Sequence, residues 1–300
     1  MASNVRNQSE KIKFAKQSLA QCSHIGTGGE APYLIRPTTL EQLRSAVEVA
    51  QQKDLSFQVF GALTNTLVSD KGIDQIAIDT SSLTDISVQG NLLVAQCGAL
   101  MDDVIDRAID SGLGGLERLG GLPGTVGGAV HGNSGANGLL TSDLLYWVDY
   151  LNKEGELLRL RAHPESFSYR HSPFMGRDDL VIYEAAFKLE PITNTLEVRR
   201  IKEEFKASRN KKGQYRYPSI GCIFRNPDGQ SAGKLIDSVG LKGYSIGGAT
   251  VSSDHANFIT NPNGEATSSD VKALIEHIKK TVKERTGISL DEEIRYLGQW

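Results

Sequence analysis

The segment Gly120–Gly138 constrains this chain more than any other, because eight of its nineteen residues are glycine. It carries no helical periodicity, and His131 is its only titratable side chain. Glycine loses more conformational freedom on folding than any other residue, so a run this dense needs a purpose. It serves either backbone turns with positive φ or close approach of the main chain to a partner. Linkers rich in glycine do not interleave apolar residues, whereas Leu122, Val126, Ala129 and Val130 punctuate this one. The segment therefore reads as an ordered, buried loop whose successive N–H groups form a concavity for an anion such as a diphosphate.

The remaining sequence bounds the setting. Three hundred residues suffice for two domains of ordinary soluble composition, with 39% apolar and 23% charged residues. A net charge of −3 argues against a nucleic-acid partner. Cys22, Cys97 and Cys222 are odd in number and widely spaced. They read as reduced thiols of a cytoplasmic protein, and no Cys/His spacing suggests a metal. No apolar stretch of membrane-spanning length occurs. Residues 1–21 read as a polar arm or short helix, and the Asn7-Gln8-Ser9 sequon means nothing without a secretion signal, which the polar start lacks.

Along the chain, strands and helices alternate irregularly, which points to α+β lobes rather than a doubly wound sheet. Thr38-Thr39-Leu40-Glu41 forms a capping box before a helix carrying Leu43, Ala46, Val47 and Ala50. Strands are expected at 57–60, 67–68 and 75–78. Hairpins are expected at 86–96 and 147–160, a helix at 102–111, and a strand at 180–189. Ser231–Ser238 is helical. Val271, Leu274, Ile275, Ile278 and Val282 mark the clearest amphipathic helix, expected to start after Ser268-Ser269-Asp270. A final strand is expected at Glu293–Leu297, with Glu292 facing opposite to Asp291 and Glu293.

Two paper motifs fail. Gly26–Ala31 fits GxGxxA but lacks the flanking strand and helix of a dinucleotide fold. Gly229–Leu235 resembles a phosphate loop, but the spacing is one residue short and Leu235 stands where a magnesium-binding hydroxyl is required. Other clusters carry chemistry. Tyr169-Arg170-His171-Ser172 gathers guanidinium, imidazole and hydroxyl groups. Cys222 follows Gly221 between two prolines, where a thiol serves as nucleophile, proton donor or simply a small buried hydrophobe. Arg199 to Arg216 is the most basic segment, either a solvated helix face or a site for a polyanion. The residues alone thus give a cytoplasmic enzyme with a dinucleotide-like cofactor and no reaction.

Leu122-Pro123-Gly124-Thr125-Val126-Gly127-Gly128-Ala129 with Asn133-Ser134-Gly135-Ala136 resembles the flavin-binding signature of the UDP-N-acetylenolpyruvoylglucosamine reductase family. Further landmarks follow in order from Gly26-Thr27-Gly28-Gly29 to Leu290–Arg295, and Ser253–Ile259 resembles the shorter subclass. The resemblance implies an arm at 1–22, a two-lobed FAD-binding domain of the PCMH (vanillyl-alcohol-oxidase-like) type at 23–195, an α+β substrate-binding domain at 196–290, and a C-terminal strand at 291–300. The two lobes would span about 23–85 and 86–195. It implies that NADPH reduces FAD, which passes hydride to the terminal carbon of an enolpyruvyl sugar nucleotide during peptidoglycan synthesis. Arg170 and Glu293 would be catalytic, and Cys222 would protonate the adjacent carbon.

The same resemblance places FAD on Gly61, Ala62, Leu63, Thr64, Asn65, Thr66, Gly121, Pro123, Gly124, Thr125, Gly127, Gly128, Asn133, Gly135 and Ala136. It places the substrate on Tyr169, Arg209, Arg225, Asn226 and Lys234. The expected protein is a cytoplasmic monomer acting on a small nucleotide sugar, with neither membrane nor nucleic-acid partner and no metal. The first flavin loop departs from the family's run of glycines at Ala62 and Leu63, whose Cβ atoms are expected to crowd the diphosphate. The glycine-rich second loop is then expected to carry more of the grip. Two alternatives remain at this level: an FAD-linked oxidase of another substrate, and a flavin-free nucleotide-sugar binding protein.

Overall fold

Ile76-Ala77-Ile78 sets the plan of the first lobe, because its side chains alternate between two cores. Ile76 and Ile78 pack with Leu43, Ala46, Val47 and Ala50 of helix α1 (Leu40–Gln52), while Ala77 joins Leu19, Leu34, Phe60 and Leu63 on the other face. The computed structural model describes residues 13–227 and 229–300. Its first sheet runs in the order Ala15–Ser18, Glu30–Ile35, Ile76–Asp79, Phe57–Phe60, with only the first pair antiparallel. Parallel strands buried on both faces read as apolar runs, as here. The expected arm is in part a structured edge: Ala15–Ser18 pairs with Glu30–Ile35, and Leu19 is fully buried. Residues 1–12, including the Asn7-Gln8-Ser9 sequon, lie outside the described residues.

The second lobe is an antiparallel sheet ordered Leu157–Arg161, Leu145–Leu151, Val181–Lys188, Leu92–Gln96, Ile86–Gln89. Helix α2 (Met101–Asp110) lays Val104, Ile105, Ala108 and Ile109 into its core and stops at Gly112, with φ of +72°. The glycine-rich segment is not wholly loop. Val126–His131 forms a short helix, α3, with Thr125 as its cap and Val126, Ala129 and Val130 buried. Burial of that apolar stripe outweighs the glycine penalty.

Helix α4 (Thr195–Lys211) answers the question left by the basic segment. Its charges neither point freely to solvent nor all face a ligand. Lys202 is 1% exposed, with Nζ 2.8 Å from Asp106 and 3.2 Å from Asp102 of α2. Arg199 pairs with Asp106 and Asp110, and Lys206 with Asp102 at 2.6 Å. A row of cations on α4 thus meets a row of carboxylates on α2. The division expected at residue 196 falls inside this packing, since α4 rests on α2 and the first residue beyond α4 to join the next core is Ile220.

That third core, which also takes in Ile25 and Leu67 of the first lobe, lies between the sheet Ser219–Cys222, Phe258–Thr260, Ala249–Val251, Ser245–Ile246 and two helices, α5 (Ala232–Ser238) and α6 (Ser268–Thr286). Helix α6 starts three residues earlier than expected, because Thr267 and Asp270 form its capping box. Asp70 of the first lobe also accepts from the N–H groups of Ser268 and Ser269. The α1 cap is likewise Thr39, which accepts from Gln42, rather than Thr38. The last strand, Arg295–Leu297, leaves Glu293 just ahead of it and runs parallel to Thr66–Val68 of the first lobe.

Candidate active site

A cavity of about 660 Å³ runs between these units, from the loop Gly61–Asn65 and the glycine-rich segment to the edge strand bearing Cys222. The loop Gly61–Asn65 leaves the strand Phe57–Phe60 and turns through Leu63, whose φ is +51°. That conformation is costly for a leucine. Its side chain repays the cost by packing into the core at 3% exposure, beside Leu19, Leu34, Phe60 and Val68. The expectation that Leu63 crowds a diphosphate is therefore wrong: its Cβ points into the protein. The N–H groups of Ala62, Leu63 and Thr64 find no acceptor among the described residues. A left-handed residue within consecutive free N–H groups makes an anion-binding nest.

In the glycine-rich segment the N–H groups that open helix α3 are paired, while those of Gly124 and Thr125 ahead of it find no acceptor among the described residues. Val126 N–H donates to Ala99 O at 2.9 Å and Gly127 N–H to Cys97 O at 2.8 Å. Gly128 N–H donates to Thr125 Oγ1. Its glycines serve close packing. A Cβ on Gly61 would stand 2.5 Å from Thr125 Oγ1, and one on Gly124 2.8 Å from Thr64 Oγ1. The two loops interlock, each threonine filling the other's glycine notch. Both loops therefore keep N–H groups without an acceptor among the described residues, at 62–64 and at 124–125.

Arg170 is presented by a tight turn in which Ser168 and His171 exchange backbone hydrogen bonds, and its own φ is +53°. Buried Asn133 holds that turn, donating from Nδ2 to Ser168 O at 2.9 Å. Ser172 Oγ donates to His131 O at 2.6 Å. Strained backbone over-determined in this way is common at functional sites. Arg170 Nε lies 2.7 Å from Glu293 Oε1, a charge contact that lacks hydrogen-bond alignment. The side chains are only 18% and 10% exposed.

Glu293 is fixed through its backbone, with its N–H on Ile223 O at 2.7 Å and its carbonyl accepting from Asn65 Nδ2 at 3.3 Å. Cys222 ends the strand Ser219–Cys222 after a register irregularity at Gly221, whose φ is +76°. Burial, and then the charge of Glu293, push its thiol up to about 12, against smaller opposing pulls from Arg170 and Arg209. The group is therefore a protonated thiol at neutral pH. Arg170 Nε and Nη1, Arg209 Nε, Arg225 Nε and His255 Nδ1 are buried without a hydrogen bond, and all four residues line this cavity. Buried donors without partners are rare, and their convergence marks a binding surface for an anionic ligand.

Asn226 also lines the cavity, whereas Gly121, Asn133, Tyr169 and Lys234 do not. Gly121 instead docks the loop, donating to Asp102 Oδ1 and accepting from the Tyr215 hydroxyl. Asn133 is the support for Arg170 just described. Tyr169 is 49% exposed, and Lys234 projects from α5 to solvent. The sequence assigned no role to His255 or Ser219, which line the cavity, while Lys212, part of the basic segment read as either a solvated helix face or a polyanion site, lines it too. Asn257 was also passed over; its side chain brackets Phe224 by accepting from its N–H and donating to its carbonyl. The signal was present: His255 and Asn257 are polar residues set among the apolar Ala256 and Phe258. Among the described residues no metal-binding cluster occurs, and no helix is long and apolar enough to cross a membrane.

Residues 31–161 match the family described as FAD binding domain, and residues 213–297 match the C-terminal domain of UDP-N-acetylenolpyruvoylglucosamine reductase. The reductase of that name from Caldicellulosiruptor saccharolyticus is 36% identical over 292 residues, covering 96% of this chain and 93% of its own. The Staphylococcus aureus reductase is 38% identical over 291 residues, covering 97% and 93%. The chain belongs to the UDP-N-acetylenolpyruvoylglucosamine reductase family. The crystal structure of the Thermus caldophilus reductase superposes with a TM-score of 0.81 at 30% identity, covering 96% of this chain and all of that one. As a member of this family the chain is an FAD-dependent oxidoreductase with an α+β fold. The residues fit the cofactor: the N–H groups at 62–64 and 124–125, without an acceptor among the described residues, suit a diphosphate.

Proposed function

We propose that the chain reduces UDP-N-acetylglucosamine enolpyruvate to UDP-N-acetylmuramate with NADPH, in the cytoplasm, as a step of peptidoglycan synthesis. The meeting of Arg170, Cys222 and Glu293 in one cavity carries this reading. FAD, held by residues 61–66 and the loop around Gly124, would supply the hydride to the terminal enolpyruvyl carbon. The chain's own residues do the rest. Negative charge develops at the neighbouring carbon and spreads into the substrate carboxylate, and Arg170, with Nε against Glu293, offers its buried and unpartnered Nη1 to it. Preorganised donors of this kind stabilise charge without reorganisation.

Cys222 holds the proton that completes the reduction. Burial keeps it on sulfur in the resting site, and charge appearing on the substrate carbon gives it a destination. Glu293 fixes Arg170 and, through its own charge, opposes loss of the thiol proton before that moment. Arg209 and Arg225, with buried Nε atoms left unpaired, suit the diphosphate of the sugar nucleotide. The test is anaerobic. NADPH should bleach the flavin of the purified holoprotein, and the enolpyruvyl sugar nucleotide should restore its colour. Restoration by oxygen but not by that compound would refute the proposal.

A further inference from the structure

The reductase reading gives no role to Glu292, the neighbour of Glu293 in the chain. Its side chain is 18% exposed and does not line the cavity. One carboxylate oxygen accepts from Lys279 Nζ of α6 at 2.6 Å, and the other from the Tyr296 hydroxyl at 2.5 Å. Glu276 lies 3.6 Å from the same ammonium, and Lys272 sits over the Tyr296 and Trp300 rings at 5.7 and 4.7 Å. Both oxygens of Glu292 are therefore satisfied on the side away from the site.

The backbone here is paired directly after Cys222. Glu292 bridges Phe224, Glu293 N–H donates to Ile223 O, and Arg225 N–H donates to Asp291 O. In an extended pairing, adjacent side chains face opposite sides. One of the two consecutive carboxylates must face Arg170 and the other α6. A slip of one residue exchanges them, and backbone hydrogen bonds alone do not distinguish the two registers. Side-chain partners do: Lys279 and Tyr296 are built to receive a carboxylate, while Arg170 would accept either.

We propose that Lys279 and Tyr296 capture Glu292 so that Glu293, and not its neighbour, is the carboxylate presented to Arg170 and Cys222. The three are positioning residues, and the proposal rests on the reductase reading of Glu293. It also accounts for the orientation of a Glu-Glu doublet in which either residue has the right chemistry.

The experiment compares holoprotein carrying Lys279→Met, Lys279→Arg or Tyr296→Phe with wild type in both anaerobic half-reactions. Alkylation of Cys222 by iodoacetamide at about pH 9 is followed in parallel by peptide mass spectrometry. For Lys279→Met, reoxidation by the sugar nucleotide should slow by about tenfold or more at saturation, with its half-saturating concentration and the NADPH step little changed. Lys279→Arg should restore the rate. Cys222 alkylation should quicken in Lys279→Met, because a carboxylate no longer held in one register spends less time beside the thiol and keeps it protonated less firmly.

Unchanged reoxidation and alkylation in a folded variant would overturn the proposal, as would equal loss in both half-reactions. If Lys279→Met does not fold, Tyr296→Phe carries the same test in weaker form. If wild type itself is not reoxidised by the sugar nucleotide, the functional reading fails, and the alkylation comparison still decides the positioning.

Discussion

Replacing Leu63 by glycine restores the residue type that a nucleotide-binding loop usually favours, and the structure says the change is harmful. Leu63 is 3% exposed in a core with Leu19, Phe60 and Val68. Emptying such a site costs about 2–5 kcal/mol. Glycine adds about 0.5–1 kcal/mol of unfolded-state entropy. Against this, release from left-handed φ returns about 1–2 kcal/mol. The net expectation is a destabilisation of about 3 kcal/mol. The nest loses its anchor while keeping its N–H groups, so FAD should bind more weakly rather than more tightly. Urea unfolding of the apoprotein measures the first quantity free of ligand linkage, and FAD titration by fluorescence quenching measures the second. A variant as stable as wild type that binds FAD more tightly would refute the reasoning and make Leu63 an obstruction.

Cys222→Ala should slow flavin reoxidation by the sugar nucleotide far more than reduction by NADPH, whereas Cys222→Ser, which still carries a proton, should keep activity; rapid mixing resolves the two steps. His131 is held down to about 4 by burial first and Arg295 second. Its folded pKa thus lies below the unfolded value of 6.5, so its stabilising contribution is complete above 6.5 and is lost as pH falls toward 4. His131→Gln should flatten acid destabilisation in that window, measured by denaturant unfolding against pH. Lys202→Met should destabilise by about 2–3 kcal/mol, below the full cost of breaking a buried pair because its carboxylates keep some solvent, and should weaken FAD binding through Asp102, which holds Gly121 N–H.

The sequence was most legible where a periodic apolar face coincided with strong punctuation. Helix α6 has both, with its stripe from Val271 to Val282 and a left-handed Gly287 at its end. The strand Ala15–Ser18 was illegible because an exposed edge strand needs no apolar alternation; only its partner Glu30–Ile35 defines it. Helix α3 hid among glycines, since its three buried side chains count only once the strand Val181–Lys188 is there to receive them. Charge was ambiguous in α4 for the same reason. A cationic face signals solvent, ligand or partner equally, and Asp102, Asp106 and Asp110 resolve it only in three dimensions. At the site, Arg170, Cys222 and Glu293 could be named in advance through resemblance. Which N–H groups of the two loops stay free could not be named, because that depends on acceptors such as Cys97 and Ala99, which take those of Gly127 and Val126.

The pairing of Arg295–Leu297 with Thr66–Val68 has a consequence for how activity arises in time. The hydrogen bond from Asn65 to Glu293 closes 228 residues of chain, and Glu293 follows every other catalytic candidate in synthesis. Contacts of such separation form late, after local structure has collapsed. The two loops proposed to hold the flavin, by contrast, have most of their supporting core once the strand Val181–Lys188 has been made. A nascent or partly folded molecule can therefore acquire a cofactor grip before it owns the carboxylate that opposes Arg170. On the proposed function, flavin capture and catalytic competence become separate events in maturation, and the glutamate just ahead of the last strand marks the second of them.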